Sequence, residues 1–339
     1  MNIVYFAPEG FDYSSNQITE GLHLLTNSDP ELDFMCTRKI VHHGSKIEDL
    51  TCVDELHAWN YSEHWADMII ISSGGDWSFR EGIRGRVLGD PERAKKTVFI
   101  DGHDGNGYLL DPDSIALYLK RELRYPEANT LTWGNVRSFL FGVYDFHFDE
   151  DWPGYHDRDI DVAFVAFGGS CPLRAQVAEY LEESNLGTTF IRVQGDGQPL
   201  PIDEYRDVMR RSKIIVSVQG AGLDTLRFWE AMGFGAVLCS VDVTRPMVVR
   251  NAPEPHRHAL LFDSMQNMAS LVRLVVSDPV RWARMRAAAD RLIKCHHSTT
   301  ARARQLITMF RELSPHDSFA PSEKLSKTSA SRESQTPTN

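Results

Sequence analysis

Residues 212–240 constrain the fold of this chain more than any other stretch. Residues 214–218 form a short β-branched run that predicts a buried parallel strand, and a turn containing Gly220 and Gly222 follows it. The turn leads into a helix for which Asp224 is the predicted N-cap. A glycine pair ends the helix, and residues 236–239 predict the next buried strand. The stretch is therefore a strand–loop–helix–strand unit of a parallel α/β sheet.

A right-handed unit of this kind places its glycine turn and its helix N-terminus at the carboxyl edge of the sheet. Free backbone N–H groups favour an anion there, so a phosphate is the expected ligand. Glu230 lies about two turns into the predicted helix, too far from its N-terminus for the macrodipole to explain the charge. Two interpretations of Glu230 stay open: it accepts hydrogen bonds from sugar hydroxyls, or it is a solvated helix carboxylate.

The residues around Glu230 also resemble a known family. The run LRFWEAMGFGAV at 226–237 resembles the donor-site segment of GT-B glycosyltransferases, the group-1 and exostosin-like families in particular. In those families the Glu of a Glu-Ala-Met-x-x-Gly-x-Val pattern binds the ribose of a nucleotide sugar, and the resemblance gives this role to Glu230. Retaining members often carry a second Glu eight positions earlier that touches the donor sugar; this chain has Gly222 there. The expected donor-binding residues are Arg174, Gly220, Gly222, Asp224, Thr225, Arg227 and Glu230.

The order of predicted elements and the resemblance together imply an α/β protein of GT-B architecture, with two Rossmann-like domains facing a cleft. We predict an acceptor domain at 1–155, which begins with a strand at 3–6, and a donor domain at 156–298. Residues 299–313 form a last helix that, in the resembling family, crosses back to the N-terminal domain. Residues 131–143 predict a further helix or strand. The Ser/Thr/Lys/Pro-rich tail at 314–339 is predicted to be disordered.

Composition narrows the class of protein. A chain of 339 residues with 42% hydrophobic content has enough apolar residues for two ordinary cores. Its net charge of −11 disfavours duplex nucleic acid and anionic membranes as partners. The five scattered cysteines support neither a disulfide framework nor a metal cluster and fit a reducing cytosol. The N-terminus has no basic region typical of a signal peptide, and no apolar run approaches the ~20 residues of a membrane span.

Two arginines are candidates for neutralising a leaving diphosphate. The resembling families use no bound metal; there, cationic side chains, loop amides and a helix N-terminus hold the diphosphate. Arg227 lies within the predicted helix after the glycine turn, and Arg174 follows the glycine loop after the first strand of the C-terminal half. A guanidinium fork suits phosphate, but it is also common on protein surfaces, so an ordinary salt-bridged role stays open for both. We also count Arg227 among the catalytic candidates.

The N-terminal half is expected to supply the acceptor side. A strand at 98–100 runs into Asp101-Gly102-His103-Asp104, an unusual concentration of Gly, Asp and His at the end of a strand. A His flanked by carboxylates can be held in one tautomer and made more basic, so Asp101 and His103 are the catalytic candidates, with His103 as base. Asp12 and Asp104 are candidates for acceptor binding. The plainer alternative is an Asp/Gly turn favoured by backbone geometry.

Metal sites are less well supported. Asp111-Pro112-Asp113 has the Asp-x-Asp form of a manganese-dependent fold, but an N-cap at Asp111 with Pro112 at the first helical position explains it. The histidine pairs 42–43, 256/258 and 296–297 lack zinc-site spacing, and Gly195-Asp196-Gly197 reads first as a turn. No Walker loop, nucleophile elbow or His-Glu-x-x-His helix is present. We therefore expect no metal and no cofactor.

The sequence hypothesis is glycosyl transfer from a UDP, GDP or dTDP sugar to a hydroxyl of a small molecule, a glycan or a protein. A sugar-nucleotide epimerase is the second enzyme reading, because that chemistry also uses two packed Rossmann-like domains. A non-catalytic protein that retains the donor pocket is the third. The chain is compatible with a homo-oligomer, and the sugar, the acceptor and the stereochemical outcome stay open.

Overall fold

The computed structural model describes residues 1–8, 12–37, 50–73, 82, 85–105, 107–148, 151–167, 171–194 and 200–313. These residues form two parallel β-sheets, each covered by helices. The expected α/β class with two Rossmann-like domains is confirmed. Residues 9–11, 38–49, 74–81, 168–170, 195–199 and 314–339 lie outside the described part, and with them the predicted histidine pair 42–43, the turn at 195–197 and the tail.

The N-terminal sheet has six strands in the order β2-β1-β3-β4-β5-β6, all parallel. Its strands are β1 (Asn2–Phe6), β2 (Asp33–Cys36), β3 (Met68–Ser72), β4 (Thr97–Asp101), β5 (Leu117–Lys120) and β6 (Val136–Ser138). The described helices of this half are α1 (Tyr13–Ser28), α2 (Glu55–His64), α3 (Pro91–Ala94) and α4 (Tyr125–Thr130). Strands β1, β3 and β4 are almost entirely buried, as their uninterrupted apolar runs require.

The C-terminal sheet has five parallel strands in the order β11-β10-β9-β7-β8. Its strands are β7 (Ile160–Phe167), β8 (Thr189–Gln194), β9 (Ser212–Ser217), β10 (Val237–Val241) and β11 (Ala259–Phe262). The helices are α5 (Pro172–Glu183), α6 (Ile202–Arg211), α7 (Leu226–Gly233), α8 (Met265–Val276), α9 (Pro279–Leu292) and α10 (Thr299–Leu313). The strand order reverses between β7 and β9, so their carboxyl ends open a crevice where open α/β sheets bind ligands.

The N-terminal half differs from expectation in two places. Within 131–143 the structure has only the three-residue strand β6, which ends the sheet. After Asp111 the expected helix is a single 3-10 turn at Pro112–Ser114, and β5 follows it. β5 has only four residues, Leu-Tyr-Leu-Lys, which are too few for periodicity to separate a strand from a helix, so the sequence pattern did not identify it.

The last helix α10 belongs to the N-terminal core, where it packs along α1. The approach is close: a Cβ at Gly21 would overlap the carbonyl of Thr299, and a Cβ at Gly142 would lie 2.5 Å from the carbonyl of His297. The amide of Val143 donates to the His297 carbonyl at 2.7 Å. The segments at Val143 and His297, where the chain crosses between the two halves, therefore lie side by side. Their contact holds one sheet edge in position against the other.

Candidate active site

Two backbone amides at the glycine turn after β9 already donate hydrogen bonds within the protein. The N–H of Gly220 donates to the carbonyl of Gly222 at 2.9 Å, and the N–H of Asp224 donates to Oε1 of Glu122 at 2.9 Å. Gly220 and Asp224 were predicted to bind the donor; in this structure their amides already have partners, so the geometry gives that prediction no support from these two groups. The donors left at this end of the unit are those of the α7 N-terminus, where Thr225 is the N-cap and makes no side-chain cap bond.

Asp224 is a buried structural residue and not the N-cap of the helix. Its Oδ1 accepts from the indole Nε1 of Trp229 at 2.8 Å, and its Oδ2 accepts from the amide of Phe141 at 2.8 Å. Burial raises the pKa of the Asp224 carboxyl. With both oxygens accepting hydrogen bonds, the side chain joins the turn to the backbone at Phe141 and does not face a ligand.

Glu230 lies in the second turn of α7 and is buried. Its Oε2 accepts a hydrogen bond from the hydroxyl of Tyr205 at 2.7 Å, and burial raises the pKa of the carboxyl despite nearby Arg227. Burial and, after it, the charge of Glu230 raise the pKa of Tyr13 at the start of α1. The carboxylate is therefore no solvated surface group, and it lies within electrostatic range of the N-terminal domain.

Arg174 and Arg227 bring two guanidinium groups to the carboxyl edge of the C-terminal sheet. Arg174 is buried and donates to the carbonyls of Phe167 at 2.7 Å and Gln219 at 3.1 Å, which follow β7 and β9. Burial and the neighbouring charge of Arg227 lower the pKa of Arg174. Arg227 lies over the ring of Tyr205, and its buried Nε has no hydrogen-bond partner. An anion between these cations would relieve their repulsion.

Asp101 lies at the end of β4 with a fully buried side chain. Its carboxylate accepts from the hydroxyl of Tyr118 at 2.5 Å and from the amide of His103 at 3.0 Å, and the ammonium of Lys120 lies 3.3 Å away. A carboxylate so enclosed has no direct path to an acceptor hydroxyl, so the geometry does not support its predicted catalytic role. Asp101 instead anchors the backbone of the loop that carries His103.

His103 and Asp104 follow Asp101 toward the edge of the sheet. His103 is exposed, and the Asp104 side chain is 38% exposed. Oδ1 of Asp104 contacts Nη2 of Arg121. Of the three predicted residues in this loop, these two are the ones whose side chains can meet a ligand.

Asp12 is the N-cap of α1. Its Oδ2 accepts from the amide of Ser15 at 2.9 Å and also contacts the Ser15 hydroxyl, which lies 2.9 Å from the hydroxyl of Ser72. Tyr5 donates to the same Ser72 hydroxyl at 3.0 Å. Capping accounts for Asp12, and the serine hydroxyls beside it line the same sheet edge as His103.

The predicted site residues of the two halves meet through a segment that the sequence reading missed. Arg121 donates from Nη1 to the carbonyl of Asp224 at 3.3 Å, and Glu122 accepts the Asp224 amide. Both residues follow β5 directly, so recognising Leu117–Lys120 as a strand would have placed them at the same edge as Asp104. The available signal was the short apolar run ending in the charged residues Lys120, Arg121 and Glu122.

No group of three or more potential metal-ligating side chains occurs among the described residues. The Asp111 carboxylate accepts from the amide of Asp113 at 3.2 Å, as a cap does. His297 is buried and stacks on Trp229 with ring centroids 4.3 Å apart.

In the described part of the chain, no helix is long and apolar enough to cross a membrane.

Comparisons with known proteins agree with the fold described above. Residues 160–308 match a family model described as glycosyl transferase-like. The chain has the GT-B fold, and its C-terminal half is glycosyl transferase-like. The match begins at β7 and ends within α10, so it includes the turn, Arg227 and Glu230. A sequence search of curated proteins found no match.

Three solved structures share the fold over 92% of this chain. They are a glycosyltransferase from Rickettsia africae (TM-score 0.59, 10% identity, 98% of that chain), Anabaena HepE in complex with UDP and glucose (0.58, 10%, 100%), and an alpha-glucosyltransferase in complex with UDP and a 13-mer DNA containing an HMU base (0.58, 9%, 99%). At such low identity these likenesses establish the architecture of both halves.

Proposed function

We propose that this protein transfers a glycosyl group from a nucleoside diphosphate sugar to an acceptor hydroxyl. The diphosphate binds between Arg174, Arg227 and the N-terminus of α7, and the ribose binds at Glu230. The observation that carries the proposal is the gathering of two guanidinium groups beside a buried carboxylate at the carboxyl edge of one sheet. UDP in two of the similar structures supports a nucleotide at this edge.

The cationic pair favours a diphosphate because each guanidinium presents a fork of donors to phosphate oxygens. Arg174 is already positioned by two carbonyls, so little side-chain entropy is lost when an anion binds. The first turn of α7 adds backbone N–H groups and the positive end of the helix dipole. The same groups stabilise the charge that develops on the leaving diphosphate.

Glu230 suits a ribose because a carboxylate accepts hydrogen bonds and donates none. Tyr205 occupies one of its roughly four lone-pair positions, and the others can accept from vicinal hydroxyls. The hydrogen bond from Tyr205 and the charges of Arg227 and Arg206 oppose the rise in the pKa of Glu230 that burial causes. A buried carboxylate without further partners is costly, and the ribose hydroxyls supply those partners.

On the acceptor side we propose His103 as the base. In the reaction the bond between the anomeric carbon and the phosphate oxygen breaks, and a bond between that carbon and the acceptor oxygen forms. The proton of the acceptor hydroxyl goes to His103 in an inverting reaction or to the leaving phosphate in a retaining one. Asp101 supports this role from beneath by holding the His103 backbone.

The proposal also includes the sequence predictions on metal use, on location and on the class of acceptor. We propose that no metal takes part, since the two arginines and the helix N-terminus can neutralise the diphosphate. A cytosolic location remains a prediction from the cysteine pattern. A nucleic-acid acceptor is disfavoured by the net charge of −11.

The test is calorimetric titration of UDP, GDP and dTDP sugars. Replacing the carboxylate in Glu230→Ala should weaken binding of the preferred nucleotide by about 10- to 100-fold, the range for hydrogen bonds to a charged group. Glu182→Ala, an exposed change on α5, is the matched control and should leave affinity unchanged. Absence of binding to every nucleotide, or full affinity in Glu230→Ala, would contradict the proposal.

The two alternative functions separate in a second assay. An epimerase converts the nucleotide sugar when it is the only substrate present, whereas a transferase gives at most slow hydrolysis. Donor binding without turnover across a panel of hydroxyl acceptors would instead favour a non-catalytic binding protein.

A further inference from the structure

The glycine turn of the C-terminal half has carboxylates of the N-terminal half pressed against it. A Cβ at Gly222 would overlap Oε1 of Glu122 and Oδ1 of Asp104, and it would lie 2.9 Å from Cγ of Asp104. No side chain larger than hydrogen fits there unless one of these groups moves. The space beside the turn is therefore filled from the opposite domain.

The two carboxylates differ in what they can still do. Glu122 is fully buried, and it accepts from the Asp224 amide at 2.9 Å and from Nη2 of Arg124 at 3.3 Å. Asp104 contacts Arg121 through one oxygen, yet its side chain remains 38% exposed. Glu122 is committed to joining the domains, whereas Asp104 keeps lone pairs that can meet a ligand.

Arg121 holds Asp104 in this position. Its guanidinium is 8% exposed, contacts Asp104, donates to the carbonyl of Asp224 at 3.3 Å and lies 4.5 Å from the ring centroid of Phe141. This positive charge offsets the repulsion that a carboxylate would feel from a diphosphate at the nearby N-terminus of α7. A carboxylate can therefore lie close to the proposed diphosphate site without opposing the anion.

We propose that Asp104 accepts a hydrogen bond from a hydroxyl of the donor sugar, so that the N-terminal half recognises the group being transferred. This inference rests on the proposed function, and it reassigns Asp104 from the acceptor to the donor. A carboxylate cannot donate to phosphate oxygens, so its ligand must carry hydroxyl or amino groups. A nucleoside diphosphate sugar carries hydroxyls on its ribose and on the transferred sugar. The proposed function places the ribose at Glu230, so the sugar is the group left for Asp104, which adjoins the turn at Gly222 ahead of α7.

The test compares nucleotide with nucleotide sugar in the absence of any acceptor. UDP-glucose, UDP-N-acetylglucosamine, GDP-mannose and dTDP-glucose are each titrated against the matching nucleoside diphosphate. In the wild-type protein the correct sugar should increase affinity over the bare nucleotide. In Asp104→Asn this gain should fall about 10-fold, while affinity for the bare nucleotide stays within about twofold.

Controls separate the possible failures. Asp113→Asn removes an exposed carboxylate on the same domain and should leave the gain unchanged. Asp104→Glu keeps the charge for Arg121 and should change which sugar is preferred, so it serves if the Asn variant does not fold. A wild-type protein that binds no nucleotide defeats the proposed function itself. Nucleotide binding with no gain from any sugar, or with the full gain retained in both Asp104 variants, defeats the inference alone.

Discussion

The carboxyl edges of the two sheets carry opposite chemistry. The edge formed by β7 and β9 gathers Arg174, Arg227 and a helix N-terminus around one buried carboxylate, Glu230. The edge formed by β1, β3 and β4 gathers acids and hydroxyls, including Asp12 and Ser72, with the exposed His103 beside them. The first edge suits an anion, and the second suits a neutral ligand rich in hydroxyl groups.

The two sheet edges therefore suit different parts of a transfer reaction. Cations at one edge can hold and stabilise a leaving diphosphate, and a base with hydroxyl partners at the other can prepare an attacking alcohol. The contacts of Arg121 and Glu122 with Asp224 keep the edges facing each other. Three perturbations, of decreasing expected effect, test whether the edges are truly separate in function.

The largest effect is expected for His103→Gln. In an inverting reaction, where His103 takes the acceptor proton, its loss should lower turnover by about 100-fold or more, because positioned bases contribute about 10²- to 10⁴-fold. Donor affinity in calorimetry should be unchanged, since His103 lies on the edge that does not hold the nucleotide. His57→Gln, at an exposed histidine of α2, is the matched control. Equal loss of donor affinity in His103→Gln would show that the edges do not divide the work as described.

Gly222→Ala should disturb the contact between the edges. The added methyl overlaps the carboxylates of Glu122 and Asp104, and overpacking of this kind costs about 2 kcal/mol of unfolding free energy. Gly134→Ala is the control, because nothing lies within 4 Å of a Cβ there. Urea denaturation measures both. A Gly222→Ala protein as stable as Gly134→Ala would mean that the close approach of Asp104 and Glu122 does not persist in solution.

The smallest effect is expected from the pH dependence of the crossing between the halves. Nδ1 of His297 accepts from Nη2 of Arg302 at 2.9 Å, so Nε2 carries the proton and donates to the Asn251 carbonyl at 2.9 Å. Burial and the charge of Arg302 lower the pKa of His297 well below its usual 6.5. Below about pH 6.5 the unfolded chain binds a proton at His297 that the folded protein does not bind. The free energy of unfolding should therefore fall as the pH drops below about 6.5.

Thermal melts between pH 8 and pH 5 measure this dependence. In His297→Gln the part of the slope due to this histidine should disappear, and the His64→Gln change at an exposed site should leave the slope intact. An unchanged slope in His297→Gln would indicate that His297 is protonated in the folded protein, against the bonding described above.

Much of the fold was readable from local pattern. The helix at 299–313 has the predicted bounds, and the strands predicted at 3–6 and 98–100 lie within β1 and β4, since their apolar patterns leave few alternatives. The two-domain α/β class is confirmed, and the resemblance read from residues 226–237 agrees with the family match over 160–308. The candidate site was found because its turn, helix and Glu230 are neighbours in sequence.

The sequence by itself determined which elements form and which turn can receive an anion, because hydrophobic periodicity and glycine act over a few residues. Only the tertiary structure decided which polar groups are free to act. The Asp224 amide donates to Glu122, 102 residues away, and its carboxylate accepts from Trp229 and Phe141. The buried carboxylate of Asp101 accepts from Tyr118, so neither side chain faces a ligand. The tertiary structure also places the carboxylate of Asp104 close to Gly222. Such contacts depend on how two sheets pack against each other, and no local pattern encodes that packing.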